Sequence, residues 1–208
     1  MNHVPLVATP GDVTPEWLTG ALVGSGAAPR GARVVGLSSE TVGNGKIGEN
    51  VRFVLDWSGP SDGAPSTVVG KFASPDPTSR QAGIMTGNYL KEVLFYRELA
   101  TTVAIRAPRC HAAEIDTETG EFVLLLEDLA PCETGDQIRG CTVDQAALAI
   151  EELPRLHAPA GRIQRSSTSS GSRPAARRAR RCSRASTRCC SPGSPSATAT
   201  GSPTRRSR

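Results

Sequence analysis

The last 48 residues of the chain, 161–208 (the tail), lack every acidic residue, lysine, leucine, valine and aromatic residue. They contain 12 Arg together with Ser, Thr, Pro, Ala and Gly, and their only large aliphatic residue is Ile163. Because a packed core needs apolar side chains, this composition excludes one here. All 20 acidic residues lie in residues 1–160, which carry a formal charge of −8 against +12 for the tail. The basic isoelectric point therefore belongs to the tail alone.

The composition of the tail fits three interpretations. GC-rich DNA translated out of frame gives such a mixture, and a reading frame shifted by one base after Ala160 permits segments with helical apolar spacing and mixed charge. We therefore interpret residues 161–208 as an out-of-frame, disordered tail. An Arg-rich arm that binds nucleic acid through phosphates is the rival, although the tail has no aromatic residue to stack on bases. A plain disordered linker is the third.

Other absences limit the location and the cofactors of the protein. No stretch approaches the 18 apolar residues of a membrane span, and the N-terminus has no basic start followed by an apolar run, so we expect no signal peptide. The cysteines form no CxxC pairs with histidine partners, which argues against zinc. Scattered Cys110, Cys132 and Cys141 fit buried thiols in a reducing compartment. We expect a cytoplasmic protein without a membrane partner.

Residues 1–160 are long enough for one core and predict an α+β fold. Thr14-Pro15-Glu16 is a helix start, with a hydroxyl cap followed by proline. Residues 88–100 predict a second helix. A third opens at Thr142 and runs toward His157, and Pro154 should kink or end it. Alternating or continuous apolar patterns predict strands over 33–37, 51–57, 68–72, 109–115 and 121–126.

A glycine-rich segment, Gly43-Asn44-Gly45-Lys46-Ile47-Gly48, precedes an alternating strand rather than a helix. That context disfavours a dinucleotide-binding fold, in which such glycines open a helix. A glycine turn between two antiparallel strands is typical of the lid that covers nucleotide phosphates in kinases. An ordinary glycine hairpin is the alternative.

Lys71 lies inside the short strand Val68–Phe72, where an unpaired charge is costly to bury. Glu92 is a candidate partner, because helical spacing places it on the apolar side of the following helix. The other members of that predicted side are Phe95, Tyr96 and Leu99. Glu98 falls on another face and is predicted to be solvated. A strand-end lysine that extends to water is the alternative for Lys71.

The segment Phe122–Leu126 has five consecutive apolar residues, which predicts a strand buried on both faces. It ends at Glu127, Asp128 and Leu129 and leads into a polar linker. In a two-lobed kinase this position is the hinge, whose backbone binds adenine. Ordinary strand-end acids are the alternative for Glu127 and Asp128.

These motifs occur in the order GNGKIGENVRF, VVGKF, KEVLFYREL, EFVLLLEDLAP and RLHAP. Together they resemble the N-terminal half of the aminoglycoside phosphotransferase and choline kinase-like superfamily. The branch they resemble most comprises bacterial phosphotransferases similar to ecdysteroid kinases. The resemblance implies a protein-kinase-like N-lobe over residues 1–130, an antiparallel sheet with a kinase-type helix. It further implies a linker and the first helix of a helical C-lobe over 131–160.

The resemblance also implies roles for particular residues. ATP would be the nucleotide, its phosphates covered by a glycine lid, gripped by a lysine that a glutamate orients, and its adenine held by hinge backbone. Those positions are Gly43, Gly45 and Gly48 for the lid, Lys71 and Glu92 for the phosphates, and Glu127, Asp128 and Leu129 for the hinge. His157 would be structural.

The family's catalytic loop, which resembles H-G-D-x-x-x-x-N, has no counterpart in this chain. None of the three histidines, His3, His111 and His157, is followed by Gly-Asp, and no acid follows Glu152. The Mg²⁺ ligands of the intact family are thus missing too. The resemblance therefore implies an ATP-dependent phosphotransferase for a small-molecule hydroxyl, truncated before its catalytic loop and inactive. The alternatives are a non-catalytic nucleotide-binding or regulatory module and a protein that binds nucleic acid through its tail.

Overall fold

The computed structural model describes residues 3–43, 47–132, 135 and 138–165, with the backbone alone for 159–165. The helices in this part of the chain are α1 (Pro15–Gly24), α2 (Pro77–Met85), α3 (Asn88–Leu94) and α4 (Val143–Arg165), besides a short 3₁₀ turn at Pro10–Asp12 and a π-helical turn at Phe95–Leu99. The strands are β1 (Arg33–Thr41), β2 (Gly48–Ser58), β3 (Thr67–Ala73), β4 (Cys110–Ile115) and β5 (Phe122–Glu127). The predicted α+β class is confirmed.

The five strands form one antiparallel sheet in the order β1-β2-β3-β5-β4. Alternation along β2 assigns its faces: Val51, Phe53 and Leu55 are buried, whereas Arg52 and Val54 lie on the opposite side. The first face packs against α1. The glycine turn joins β1 to β2 as an antiparallel hairpin, as predicted.

Helix α1 begins where its capping residues predict. The Thr14 hydroxyl accepts a hydrogen bond from the Trp17 N–H at 3.2 Å, and Pro15 occupies the first turn. The buried side of the helix, Trp17, Leu18, Ala21 and Leu22, joins the core on the β2 face of the sheet. Each buried leucine contributes about 1.5–3 kcal/mol to this packing.

Helix α3 covers β3, β4 and β5 on the other face of the sheet. Tyr89, Val93 and Tyr96 pack there against Phe122 and the remaining outward residues of β5. Strand β5 is thus buried on both faces, as its continuous apolar run predicts. On this second face Arg52 and Val54 of β2 stay partly exposed.

The predicted helix over 88–100 consists of α3 and a following π turn, closed by a 2.8 Å hydrogen bond from the Ala100 N–H to the Phe95 carbonyl. The wider turn changes the angular step between residues. Leu99 is exposed, whereas Tyr96 of the same predicted apolar side is buried. Glu98 is solvated, as predicted.

Two helices differ from the sequence prediction. Helix α2 is absent from that prediction, because it has little apolar periodicity; its start signals are Asp76, whose carboxylate accepts the Ser79 N–H at 2.7 Å, and Pro77. Helix α4 begins after Thr142 as predicted but continues through Pro154 to Arg165, so Pro154 does not end it. It therefore crosses the predicted boundary at residue 160.

Helix α4 presents exposed Val143, Leu148 and Ile150 to solvent. One backbone hydrogen bond joins it to the body of the fold, from the Ala104 N–H to the Arg155 carbonyl at 3.1 Å. No helix within the described ranges has the length and apolar character that crossing a membrane requires. The predicted disorder of the tail beyond Arg165 lies outside the described residues.

Candidate functional site

An open cavity of about 590 Å³ lies between the end of the glycine turn, β3 and α3 (the cleft). The sheet contributes Gly48 and Lys71 to it, and α3 with the following π turn forms its wall. The lining residues are Ile47, Gly48, Lys71, Asn88, Tyr89, Lys91, Glu92, Phe95 and Tyr96. Two lysines and one acid give it an excess of positive charge.

Lys71 and Glu92 meet in the cleft, with 2.7 Å between Nζ and Oε1. Because Gly70 and Phe72 face the α1 core, alternation directs Lys71 to the side of α3. Both side chains keep roughly a quarter to a third of their surface, at 27% and 31%. A partly exposed pair of this kind contributes little to stability. The ammonium group lines the open cavity, where an anionic ligand can reach it.

The end of the glycine turn leaves room for this lysine. A Cβ on Gly48 would lie 3.0 Å from the Phe72 carbonyl oxygen and 3.3 Å from Cε of Lys71. Gly43 has φ of 75°, a left-handed conformation that favours glycine. The Val42 N–H donates to the Asn50 carbonyl at 2.9 Å and closes the hairpin. Gly45 lies outside the described residues.

Tyr89 links the glycine turn to α3, a connection that is not among the sequence predictions. Its hydroxyl donates to the Ile47 carbonyl and accepts the Ser74 N–H at 3.3 Å. The ring stacks on Phe122 with 4.6 Å between centroids. The i, i+4, i+7 spacing of Tyr89, Val93 and Tyr96 was the available signal for this buried face.

At the end of β5, the Glu127 side chain is hydrogen-bonded to the segment that precedes β4. Its carboxylate accepts two hydrogen bonds from Arg106, at 2.7 and 3.0 Å, and one from the Arg109 N–H. The Arg106 bonds hold the Glu127 pKa below its ordinary value. The backbone N–H of Glu127 donates to the Arg109 carbonyl at 2.8 Å. Among the backbone groups of the predicted hinge, the Glu127 N–H is therefore not available to a ligand.

Asp128 has a side chain only 5% exposed, and it binds Arg52 in a bidentate pair at 2.6 and 3.2 Å. Its Oδ1 also accepts the Ala130 N–H at 3.0 Å. Desolvation opposes ionisation of this carboxyl, but the hydrogen bonds from Arg52 and Ala130 outweigh it and keep the Asp128 pKa low. Glu40 binds the remaining Nη1 of Arg52 at 2.8 Å.

The sequence predicts a backbone role for the hinge, and this side-chain link goes beyond that prediction. The available signal was the polar residue at position 52, on the opposite parity to the apolar positions of β2. The pairing of Val68 with Glu127 and of Lys71 with Leu124 separates the hinge from the lysine by three residues of β5, or about 10 Å. Leu129, the last predicted hinge residue, is 37% exposed.

A second cavity of about 540 Å³ lies behind Tyr96, near Cys110 and Arg109. Burial raises the pKa of the Cys110 thiol to about 12 and that of Tyr96 to about 12. Burial, with a smaller effect from Arg109, lowers the pKa of neighbouring His111 to about 4. These three groups are neutral at physiological pH. In the residues described here, no three His, Cys, Asp or Glu side chains are grouped to hold a metal ion.

Comparison of the chain with protein-family models, with curated proteins and with solved structures finds no match. The evidence on function is therefore the geometry of the cleft and the motifs that build it. Of the predicted site residues, Gly48, Lys71 and Glu92 line the cleft, and Glu127, Asp128 and Leu129 lie at the end of β5, which pairs with β3.

Proposed function

We propose that the cleft binds a nucleoside triphosphate, as the N-lobe of an ATP-dependent phosphotransferase for a small-molecule hydroxyl does. The observation that carries this proposal is the ion pair of Lys71 and Glu92 beside Gly48. A strand lysine paired with a glutamate of the following helix, beneath a glycine turn, is the arrangement with which kinases hold ATP phosphates. Glu92 positions the ammonium group, and Lys71 binds the phosphate oxygens.

The spacing between Lys71 and the hinge supports the same ligand. The lysine and the hinge lie about 10 Å apart along β5, a separation that a nucleoside can span. The base then lies near residues 127–129 and the phosphates at the glycine turn. Lys91, whose Nζ donates to the Thr86 carbonyl at 2.9 Å, adds positive charge at the phosphate end.

The proposed activity of this chain is binding without phosphoryl transfer. Among the described residues that line the cleft, Glu92 is the one acid, and its pairing with Lys71 leaves no carboxylate free to accept a proton from a hydroxyl. Loss of a general base costs about 10²–10⁴-fold in rate. The proposed role of this chain is thus nucleotide binding by a phosphotransferase-like lobe.

Calorimetric titration with ATP tests the proposal. Lys71→Met removes the phosphate contact and should raise the Kd for ATP about tenfold or more, since a charge-assisted bond contributes about 1.5–3 kcal/mol. Glu92→Gln should weaken binding by a smaller factor because the lysine loses its orientation. Glu98→Gln, an exposed acid near the same helix end, is the matched control and should bind as the wild type does. Equal affinities for wild type and Lys71→Met would refute the proposed function.

A further inference from the structure

The pair formed by Arg52 and Asp128 lies on the open face of the sheet, the face of the cleft. In β2 the side chains of Val51 and Phe53 enter the α1 core, so Arg52 points to the opposite face. Strand register places Arg52 beside Val69, two residues from Lys71 in β3. The guanidinium therefore lies on the same face of the sheet as Lys71, two residues of β3 away from it.

Asp128 uses its carboxylate to fix the path of the chain as it leaves β5. It accepts Nε and Nη2 of Arg52 across β3 and the N–H of Ala130 two residues ahead. Arg52 is held in turn by Glu40 of β1. The segment after β5 is thus tethered to two strands on the far side of β3, and its backbone has little freedom to rotate.

This tether determines which backbone groups are available to a ligand. The N–H of Glu127 donates to Arg109 within the fold. The carbonyl of Leu129 accepts the Cys132 N–H at 2.9 Å. The N–H of Leu129, which directly follows the tethered Asp128, forms no hydrogen bond within the part of the chain that the structure describes. It is an unused donor at the end of β5, between two residues that hydrogen bonds hold in place.

We propose that Arg52 and Asp128 are positioning residues for recognition of the base, separate from the phosphate site at Lys71. The inference rests on the proposed function and assigns the Leu129 N–H as the donor to an acceptor atom of the base. The charges support this separation of a base site from a phosphate site. Arg52 is neutralised by Asp128 and Glu40, so this cluster carries a net charge of −1 and does not attract phosphate.

The test compares ATP with inorganic tripolyphosphate, which has the phosphates and lacks the base. The variant is Arg52→Met/Asp128→Leu, which leaves the net charge of the cluster at −1 and replaces a desolvated pair by apolar side chains, a change that proteins often tolerate. We expect its Kd for ATP to rise about tenfold, the effect of one misplaced hydrogen bond and weaker packing of the base. Its Kd for tripolyphosphate should stay within about twofold of the wild type.

Two further variants isolate the effect. Arg80→Met/Glu121→Leu removes another arginine–carboxylate pair, with side chains 31% and 35% exposed, at the other end of β5 and should leave both affinities unchanged. Arg52→Lys keeps the charge but replaces the bidentate fork by a single ammonium, so it should weaken ATP binding partly and leave tripolyphosphate binding intact. If the double variant does not fold, Arg52→Lys alone tests whether the pair positions the base.

Each other outcome would overturn the inference. Equal loss of ATP and tripolyphosphate affinity would mean that the pair acts on the whole fold, and no loss of either would mean that it positions nothing. Wild-type protein that binds ATP no more tightly than tripolyphosphate would show that the base is not recognised, while leaving the phosphate site in place. Wild-type protein that binds neither compound would overturn the proposed function itself, and this inference with it.

Discussion

Replacement of Gly70 by alanine tests the packing beneath the cleft lysine. Gly70 faces the α1 core, where a Cβ would lie 2.8 Å from Cε2 of Phe53 and 2.8 Å from Cε2 of Phe72. Both phenylalanines are fully buried and meet edge to face, with 6.5 Å between ring centroids. The rings can converge only because residue 70 has no side chain.

Two opposing effects set the change in the free energy of unfolding that Gly70→Ala causes. Alanine restricts the unfolded chain and would by itself stabilise the protein by about 0.4–1 kcal/mol, because Gly70 is not among the positive-φ glycines. Against this, ordinary contact begins near 3.4 Å, so each ring must retreat by about 0.6 Å. Overpacking of a filled core costs about 1–3 kcal/mol. We expect Gly70→Ala to lower the free energy of unfolding by about 1–2 kcal/mol.

Urea unfolding followed by the fluorescence of Trp17, which belongs to the same core, measures this change through the midpoint at constant slope. Gly20→Ala is the matched control. Gly20 lies in α1, and a Cβ there would have no neighbouring atom within 4 Å, so the substitution should stabilise by about 1 kcal/mol. Adding Phe53→Leu to Gly70→Ala should recover part of the loss. A Gly70→Ala protein as stable as the wild type would refute the packing described for this face.

Three further substitutions address the cleft and the fold. Gly48→Val places atoms against Cε of Lys71 and the backbone of β3, and it should weaken ATP binding about fivefold or more in a calorimetric titration. Gly83→Ala places a Cβ 2.4 Å from Cζ of Tyr89, so the two groups clash. Thermal unfolding should report a loss of about 1–3 kcal/mol in the free energy of unfolding, with partial recovery by Tyr89→Leu. Burial lowers the His111 pKa from 6.5 to about 4, so the unfolded chain binds a proton before the folded chain does. The free energy of unfolding should therefore fall by up to about 3 kcal/mol from pH 6.5 to 4, and His111→Gln should flatten that slope.

Local patterns predicted most of the sheet and three of the helix starts. Strand β2 alternates strictly between core and open face, and the caps at Thr14 and Thr142 begin α1 and α4 where expected. The contact of Lys71 with Glu92 was also predictable. Side chains alternate between the two faces of a strand and recur every 3.6 residues on a helix. These periods place Lys71 and Glu92 on the facing sides of their two elements.

Other features of the site could not be read from local sequence. Helix α2 has weak apolar periodicity, and the π turn after α3 leaves no mark in residue spacing. Tyr89 contacts a carbonyl 42 residues away, and Arg52 meets Asp128 across a separation of 76 residues. Whether these groups meet depends on which strands are neighbours and in which register.

Residue order alone specifies which side chains of each element face the core, because backbone periodicity and capping depend on near neighbours. It also separates an acidic body from an arginine-rich tail. The place of β3 between β2 and β5 is a property of the folded chain. That arrangement brings the glycine turn, Lys71 and the end of β5 to one face, and it turns Asp128 from a strand-end acid into the partner of Arg52. The physical reason is that strand order is set by packing between segments far apart in the chain, which no local pattern encodes.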